Sequence, residues 1–152
     1  MAAALALLDS DTVSELSRGH PAVTERAAAY LHEHGRLIIS SITVFERLRG
    51  YRVALSAGKP FDEHLRQFQA FVVTCRVLPV DTAVASHAAL IWAGLGVRQR
   101  RALGDILIAA TASAHGLPLA TRKRRDFEPM AHIAGVRLAL TDWTHAPDVR
   151  RA

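Results

Sequence analysis

The chain has 152 residues, half of them hydrophobic and 22% charged, which suits one globular domain with a genuine core and excludes a disordered polypeptide. A single cysteine, Cys75, rules out an internal disulfide and a cysteine-built zinc site and fits a reducing compartment. The formal charge is +5, from 17 Arg and 2 Lys against 14 acids; such a surplus suits a polyanionic partner, although GC-rich codon usage gives the same arginine bias with no function.

The apolar run from Leu5 to Leu8 predicts a short strand buried on both faces, as in a parallel sheet, with Asp9 at its carboxyl end. Ligands of open α/β sheets bind outside that end, so Asp9 is a site candidate by position alone. A short helix is expected over Asp11 to Arg18, stopped at Gly19, with Asp11 or Thr12 as its cap and Thr12 and Glu15 at capping-box spacing. Pro21 starts a second helix that buries Val23, Ala27, Tyr30 and Leu31 and ends at Gly35. Leu37 to Ser40 reads as the second strand. Ser40 or Ser41 then caps a helix with Ile42, Phe45 and Val53 facing inward and Glu46 on the same side.

A break at Gly58, Lys59 and Pro60 precedes a helix striped by Phe61, Leu65, Phe68 and Val72. Arg76 to Val80 is the expected third strand, and Asp81 or Thr82 caps a helix burying Val84, Ala88, Ile91 and Leu95. Asp105 opens a further helix ended by Gly116 and Pro118. Leu117 to Thr121 forms the fourth strand, RKRR the loop after it, and Val136 to Leu140 the last strand. Alternating strands and helices predict one α/β domain over residues 1–145 with a mostly parallel sheet, followed by a polar tail over 146–152. No apolar run reaches membrane length and no secretory signal is expected, so the protein is read as cytoplasmic. The eight histidines form no ligand set.

Four carboxylates, Asp9, Glu46, Asp105 and Asp126, stand at strand ends or helix starts, where a carboxyl-end crevice would gather them. Each also has a structural alternative: Thr43 and Glu46 have capping-box spacing, Asp105 can cap a helix after Gly104, and Asp126 can pair with Arg122 or Arg125. Four acids gathered together raise one another's pKa unless cations offset them, and the natural counter-ion for carboxylates is Mg²⁺ or Mn²⁺. Two such ions about 4 Å apart activate water and stabilise the leaving oxygen of a phosphodiester.

The stretches LLDSDTVSEL, ISSITVFERLRG, LGDILIAATASAHGLPLATRKRRDF and GVRLALTDW resemble, in order and spacing, the PIN-domain nucleases, and within them the VapC-like toxins of type II toxin-antitoxin pairs. The resemblance runs from Leu7 to Trp143. It implies a PIN-like three-layer fold with five strands ordered 3-2-1-4-5 and helices on both faces. Asp9 and Asp126 would meet where the first and fourth strands adjoin, and Asp105 and Glu46 would reach in from helices. It further implies a Mg²⁺-dependent (or Mn²⁺-dependent) endoribonuclease leaving a 5′-phosphate. Asp9 and Asp105 would be the first metal contacts, Glu46 and Asp126 would complete the set, and Asp11 would orient its neighbours by hydrogen bonding. A homodimer is implied as well, together with a cognate antitoxin whose C-terminal segment plugs the groove, giving a toxin-antitoxin hetero-oligomer.

Lys123 departs from that pattern, standing where relatives commonly carry Asn or Asp. It can pair with the acids and weaken a second metal site, or touch substrate phosphate. Arg101, Arg122, Lys123, Arg124 and Arg125 would flank the acids and meet RNA phosphates, with solvated loop charge as the alternative. Two other readings stay open. Asp9, Ser10, Asp11 and Thr12 imitate the DxDxT-like motif of haloacid-dehalogenase-type phosphatases, although Ala109 and Ala110 stand where a later acidic partner would fall. A non-catalytic PIN-fold module binding RNA or antitoxin is the other, with Lys123 having disabled metal binding.

Overall fold

Adjacent apolar pairs build the sheet. In the computed structural model, which describes residues 3–146, the strands are β1 (Leu7–Leu8), β2 (Ile38–Ser40), β3 (Arg76–Leu78), β4 (Leu119–Ala120) and β5 (Leu140–Thr141). All pairings are parallel and the order is β3-β2-β1-β4-β5. The helices are α1 (Ser10–Ser17), α2 (Pro21–His34), α3 (Ser41–Ser56), α4 (Asp62–Thr74), α5 (Thr82–Gly94), α6 (Leu103–His115) and α7 (Arg124–Ala131), with one 3₁₀ turn at Gln99–Arg101.

Successive strand residues point to opposite faces, and both faces are covered. Leu7, Ile38 and Leu119 pack under α5, α6 and α7, with Val84, Ile91, Ile106, Phe127 and Met130 as the facing residues. Leu8, Ile39 and Ala120 pack under α1, α2 and α4, against Val13, Val23, Tyr30 and Phe68. The three-layer expectation and the strand order therefore hold. Cys75 is buried in the second layer, and burial pushes its thiol up to about 11. No helix among the described residues is long and apolar enough to cross a membrane.

Several local expectations are corrected. Helix α1 starts at Ser10 because Asp9, neither Asp11 nor Thr12, is its cap: Asp9 Oδ1 accepts from the Thr12 N–H at 2.7 Å. Likewise α3 is capped by Ser40, whose Oγ accepts from the Thr43 N–H, so Thr43 and Glu46 form no capping box. Phe45 and Val53 are 56% and 65% exposed where they were expected inside. The inward stripe of α3 is instead Val44, Leu48 and Tyr51, an equally good helical spacing that packs on the α4 side of the sheet. Leu31, also exposed, falls one residue past the Val23, Ala27, Tyr30 stripe of α2.

Strand β3 stops at Leu78, short of Val80, and the last strand is Leu140–Thr141, later than Val136 to Leu140. In the RKRR stretch only Arg122 and Lys123 are loop; Arg124 and Arg125 belong to the first turn of α7. That helix has no side-chain cap and carries Pro129, so local signals are against it. Complete burial of Phe127 and Met130, three residues apart, holds it in place. The expected polar tail lies outside the described residues beyond Ala146.

Candidate active site

The strand order reverses between β1 and β4, and ligands of such sheets sit in the crevice outside the carboxyl ends at that point. Asp9 follows β1 directly and Thr121 follows β4 directly. Holding both the cap bond to Thr12 and the strand end, the Asp9 carboxyl is 1% exposed. Its second oxygen, Oδ2, is buried with no hydrogen-bond partner. Burial raises the Asp9 pKa above its ordinary value, and Thr121 and Thr12 beside it only partly offset this.

Glu46 comes to the same place from the second turn of α3. Its Oε1 accepts from the Ser10 hydroxyl at 2.9 Å, one residue from Asp9. Its Oε2 lies against the first turn of α6, where a Cβ on Gly104 would approach to 3.1 Å. Gly104 thus makes room for the carboxylate, and Asp105 follows it. Asp105 is not a cap; the N-cap of α6 is Ala102, without a side-chain bond. Burial raises the Asp105 pKa, Lys123 lowers it, and the neighbouring Asp126 raises it further. Asp126, on the exposed first turn of α7, is therefore within electrostatic reach of Asp105; it forms no ion pair with Arg122 or Arg125.

A cleft of about 440 Å³ opens here, lined among others by Phe45, Glu46, Arg49, Arg101, Asp105 and Lys123. Phe45 is part of its wall, with the Arg49 guanidinium 5.3 Å above the ring. The sequence missed Phe45, Ser10 and Gly104 as parts of the site. Helical periodicity points Phe45 inward, and a serine or a glycine announces nothing on its own. A larger opening, about 550 Å³, lies between α1, α3 and α4 around Arg47, Tyr51, His64 and Phe68. It contains none of the four acids. Arg47 stacks there on Tyr51 and Phe68 while its Nε stays buried without a partner.

The basic residues divide. Arg122 grips Asp11 with two bonds, 3.0 and 3.1 Å, and reaches Glu15 at 3.4 Å, so it braces α1 to the end of β4 instead of standing free for phosphate. Asp11 is thereby held in that ion pair. Arg124 donates to the Leu140 carbonyl, Arg125 is exposed, and Arg101 lines the cleft. Lys123 Nζ is 3.5 Å from Asp105 Oδ1.

Whether these residues suit a metal is decided by their donors. All are carboxylate oxygens, which select a hard cation, and the unpartnered Asp9 Oδ2 is a buried acceptor needing one. Among the described residues no three His, Cys, Asp or Glu side chains stand close enough to hold an ion between them as they lie. Mg²⁺ asks for less, since it keeps several waters and binds through one or two carboxylates plus substrate phosphate. Glu46 and Asp105 on the cleft lining are donors of the type such an ion takes.

Residues 6–133 match the family model of the PIN domain. The chain is 34% identical over 126 residues to Toxin FitB of Neisseria gonorrhoeae, covering 80% of this chain and 89% of that protein. It is 37% identical over 128 residues to VapC ribonuclease Y4jK of Sinorhizobium fredii, with the same coverage of 80% and 89%. Among solved structures it resembles a chain of the DNA-bound VapBC complex from Salmonella typhimurium, with a TM-score of 0.70, 28% identity, and coverage of 92% of this chain and 98% of that one. It also resembles a chain of FitAcB from Neisseria gonorrhoeae, with a TM-score of 0.71, 29% identity and coverage of 93% and 99%.

Proposed function

Because the chain belongs to the PIN-domain family, we propose that it is a Mg²⁺- or Mn²⁺-dependent endoribonuclease, the toxin of a toxin-antitoxin pair, acting in the cytoplasm. One observation carries the reading. Glu46 and Asp105, from two separate helices, line one cleft, and Asp9, buried at the end of β1 next to the Ser10 that bonds Glu46, has one oxygen without a partner. The phosphatase reading has no such support, since Asp9 is fixed as a cap and strand end and the family is a different one.

Asp9 and Asp105 would hold the ion, with Glu46 and Asp126 completing the acidic set. A bound divalent cation would supply Lewis-acid stabilisation of the phosphate and a more acidic water. The chain's own residues do the rest. Asp9 is rigidly set by the Thr12 N–H and the end of β1, and Ser10 fixes the direction of Glu46. Glu46, which lines the cleft, would take a proton from an attacking water. Arg49, Arg101 and Lys123 on the cleft lining favour the phosphate backbone over neutral substrates. Hydrolysis breaks the bond between phosphorus and the 3′ oxygen, water supplies the new oxygen, and the fragments carry a 5′-phosphate and a 3′-hydroxyl.

The partner follows from the relatives, two of which are VapBC and FitAcB complexes. We assign the chain a cognate antitoxin that covers the acid cleft, in a hetero-oligomer built on a homodimer. Exposed Phe45, Val53, Trp92, Val97 and Leu103 give apolar surface for such contacts. Incubating the antitoxin-free protein with single-stranded RNA and Mg²⁺ tests the activity: fragments with 5′-phosphate ends are expected, and intact RNA beside hydrolysis of a phosphomonoester would reject it. The Lys123–Asp105 pair supports one rival, a catalytically inert PIN fold. That rival binds RNA or antitoxin without cutting.

A further inference from the structure

The chain uses arginine almost wherever it needs a cation, with 17 Arg against 2 Lys, yet one of its two lysines stands in the acid cleft. Lys123 is held there from its backbone. Its N–H donates to Thr121 Oγ1 at 2.9 Å and its carbonyl accepts from the Asp126 N–H at 3.0 Å, fixing it between β4 and α7. The neighbouring Arg122 turns to Asp11 and Glu15, whereas the Lys123 ammonium lies 3.5 Å from Asp105 Oδ1 with its side chain 39% exposed. Burial draws the Lys123 pKa down, but the carboxylates of Asp105, Asp9 and Asp11 prevail and raise it, so all three act on this one charge.

An ammonium is a compact, strongly hydrated point charge, closer to a small metal cation than the planar guanidinium that this chain prefers elsewhere. A pair of divalent ions about 4 Å apart concentrates four positive charges, which any further cation among the same acids opposes. Here one of the acids already has a covalently tethered partner. We propose that Lys123 takes the place of a second metal: the site admits one divalent ion, shared by Asp9 and Asp105, and Lys123, the resident cation beside Asp105, limits both the number and the affinity of ions bound. This rests on the metal-dependent reading above. It also separates the chain from an inert module, because the lysine restricts loading without abolishing it.

Manganese titration of the full-length protein at fixed pH tests this, by calorimetry and by loss of the free Mn²⁺ paramagnetic signal, on the wild type, Lys123→Met and Lys123→Arg. The wild type should take up one ion per chain. Lys123→Met should take up two, with the first bound at least about tenfold tighter, since a +2 ion beside a +1 charge is opposed even at the dielectric of water. Lys123→Arg, which keeps the charge, should stay at one. In EDTA, Lys123→Met should melt below the wild type because Asp105 loses its partner, and added Mn²⁺ should restore it; Lys123→Gln replaces Met if that variant misfolds. Equal stoichiometry and affinity in the wild type and Lys123→Met, or two ions in the wild type, overturn the role of Lys123 while leaving the metal site standing. Absence of Mn²⁺ binding in every variant overturns both.

Discussion

The cap role of Asp9 and the metal-holding role proposed for it are separated by one pair of substitutions. As a cap, its Oδ1 accepts from the Thr12 N–H at 2.7 Å; as a site residue, its Oδ2 is buried without a partner and its pKa is raised by burial. Asp9→Asn keeps the capping oxygen, and Asn caps as well as Asp. The new amide N–H₂ lies where Oδ2 was, leaving a buried donor unpaired at a cost of about 1–3 kcal/mol, while removal of a desolvated charge offsets most of that. With these two effects opposed, the net change in stability in EDTA should stay within about 1 kcal/mol of zero. Asp9→Ala loses the cap as well and should be destabilised by about 1 kcal/mol more. Cleavage behaves differently: losing one carboxylate from a metal site removes several kcal/mol of transition-state stabilisation, and each 1.4 kcal/mol is about tenfold, so both variants should fall at least about 100-fold. Urea unfolding and cleavage of a fluorescent RNA oligonucleotide read the two quantities. An Asn variant that retains a tenth of wild-type cleavage, or that unfolds as readily as the Ala variant, refutes the division of labour.

Gly104→Ala places a methyl group 3.1 Å from Glu46 Oε2, so the carboxylate must shift by a few tenths of an ångström; RNA cleavage should fall several-fold while thermal stability changes little. Raised carboxylates favour the folded state most when protonated. The contribution of Asp9 and Asp105 is therefore full below the ordinary value of 3.8 and lost as pH rises through their raised values. The stability of the metal-free wild type relative to Asp9→Asn/Asp105→Asn should accordingly decline as pH rises from 4 toward neutrality; a difference that grows with pH contradicts the assignment. For Cys75, whose thiol is pushed up to about 11 from 9.0, stabilisation is present below pH 9 and lost as pH rises to about 11. At pH 8 the thiol should resist a disulfide reagent until urea unfolds the chain.

The sheet was legible because its signal is local. Paired apolar residues such as Leu7–Leu8 and Leu119–Ala120 can only be buried on both sides, and turn residues separate them from helices. The positions of Asp9, Glu46 and Asp105 were legible, since strand ends and helix starts lie toward the carboxyl end of the sheet; Glu46 and Asp105 line one cleft there and Asp9 is buried at the end of β1. What the sequence withheld is set by packing between distant elements. Two stripes of α3 have helical spacing, and only contact with α4 chooses Val44, Leu48 and Tyr51, leaving Phe45 and Val53 outside. Helix α7 has no cap and contains Pro129, so its existence depends on the pocket that receives Phe127. The separation of Arg122 from Lys123 is of the same kind: adjacent cations in one loop face different acids because Asp11 and Asp105 flank the end of β4 on two sides.

The central claim is that the acids around this cleft cut RNA through a divalent cation. The most direct measurement is the cleavage rate of single-stranded RNA by the antitoxin-free protein as Mg²⁺ is titrated from zero in EDTA, for the wild type and Asp105→Asn. The wild-type rate should rise from nothing to saturation and Asp105→Asn should stay near background throughout. Undiminished cleavage in EDTA, or an Asp105→Asn curve that overlays the wild type, would contradict it.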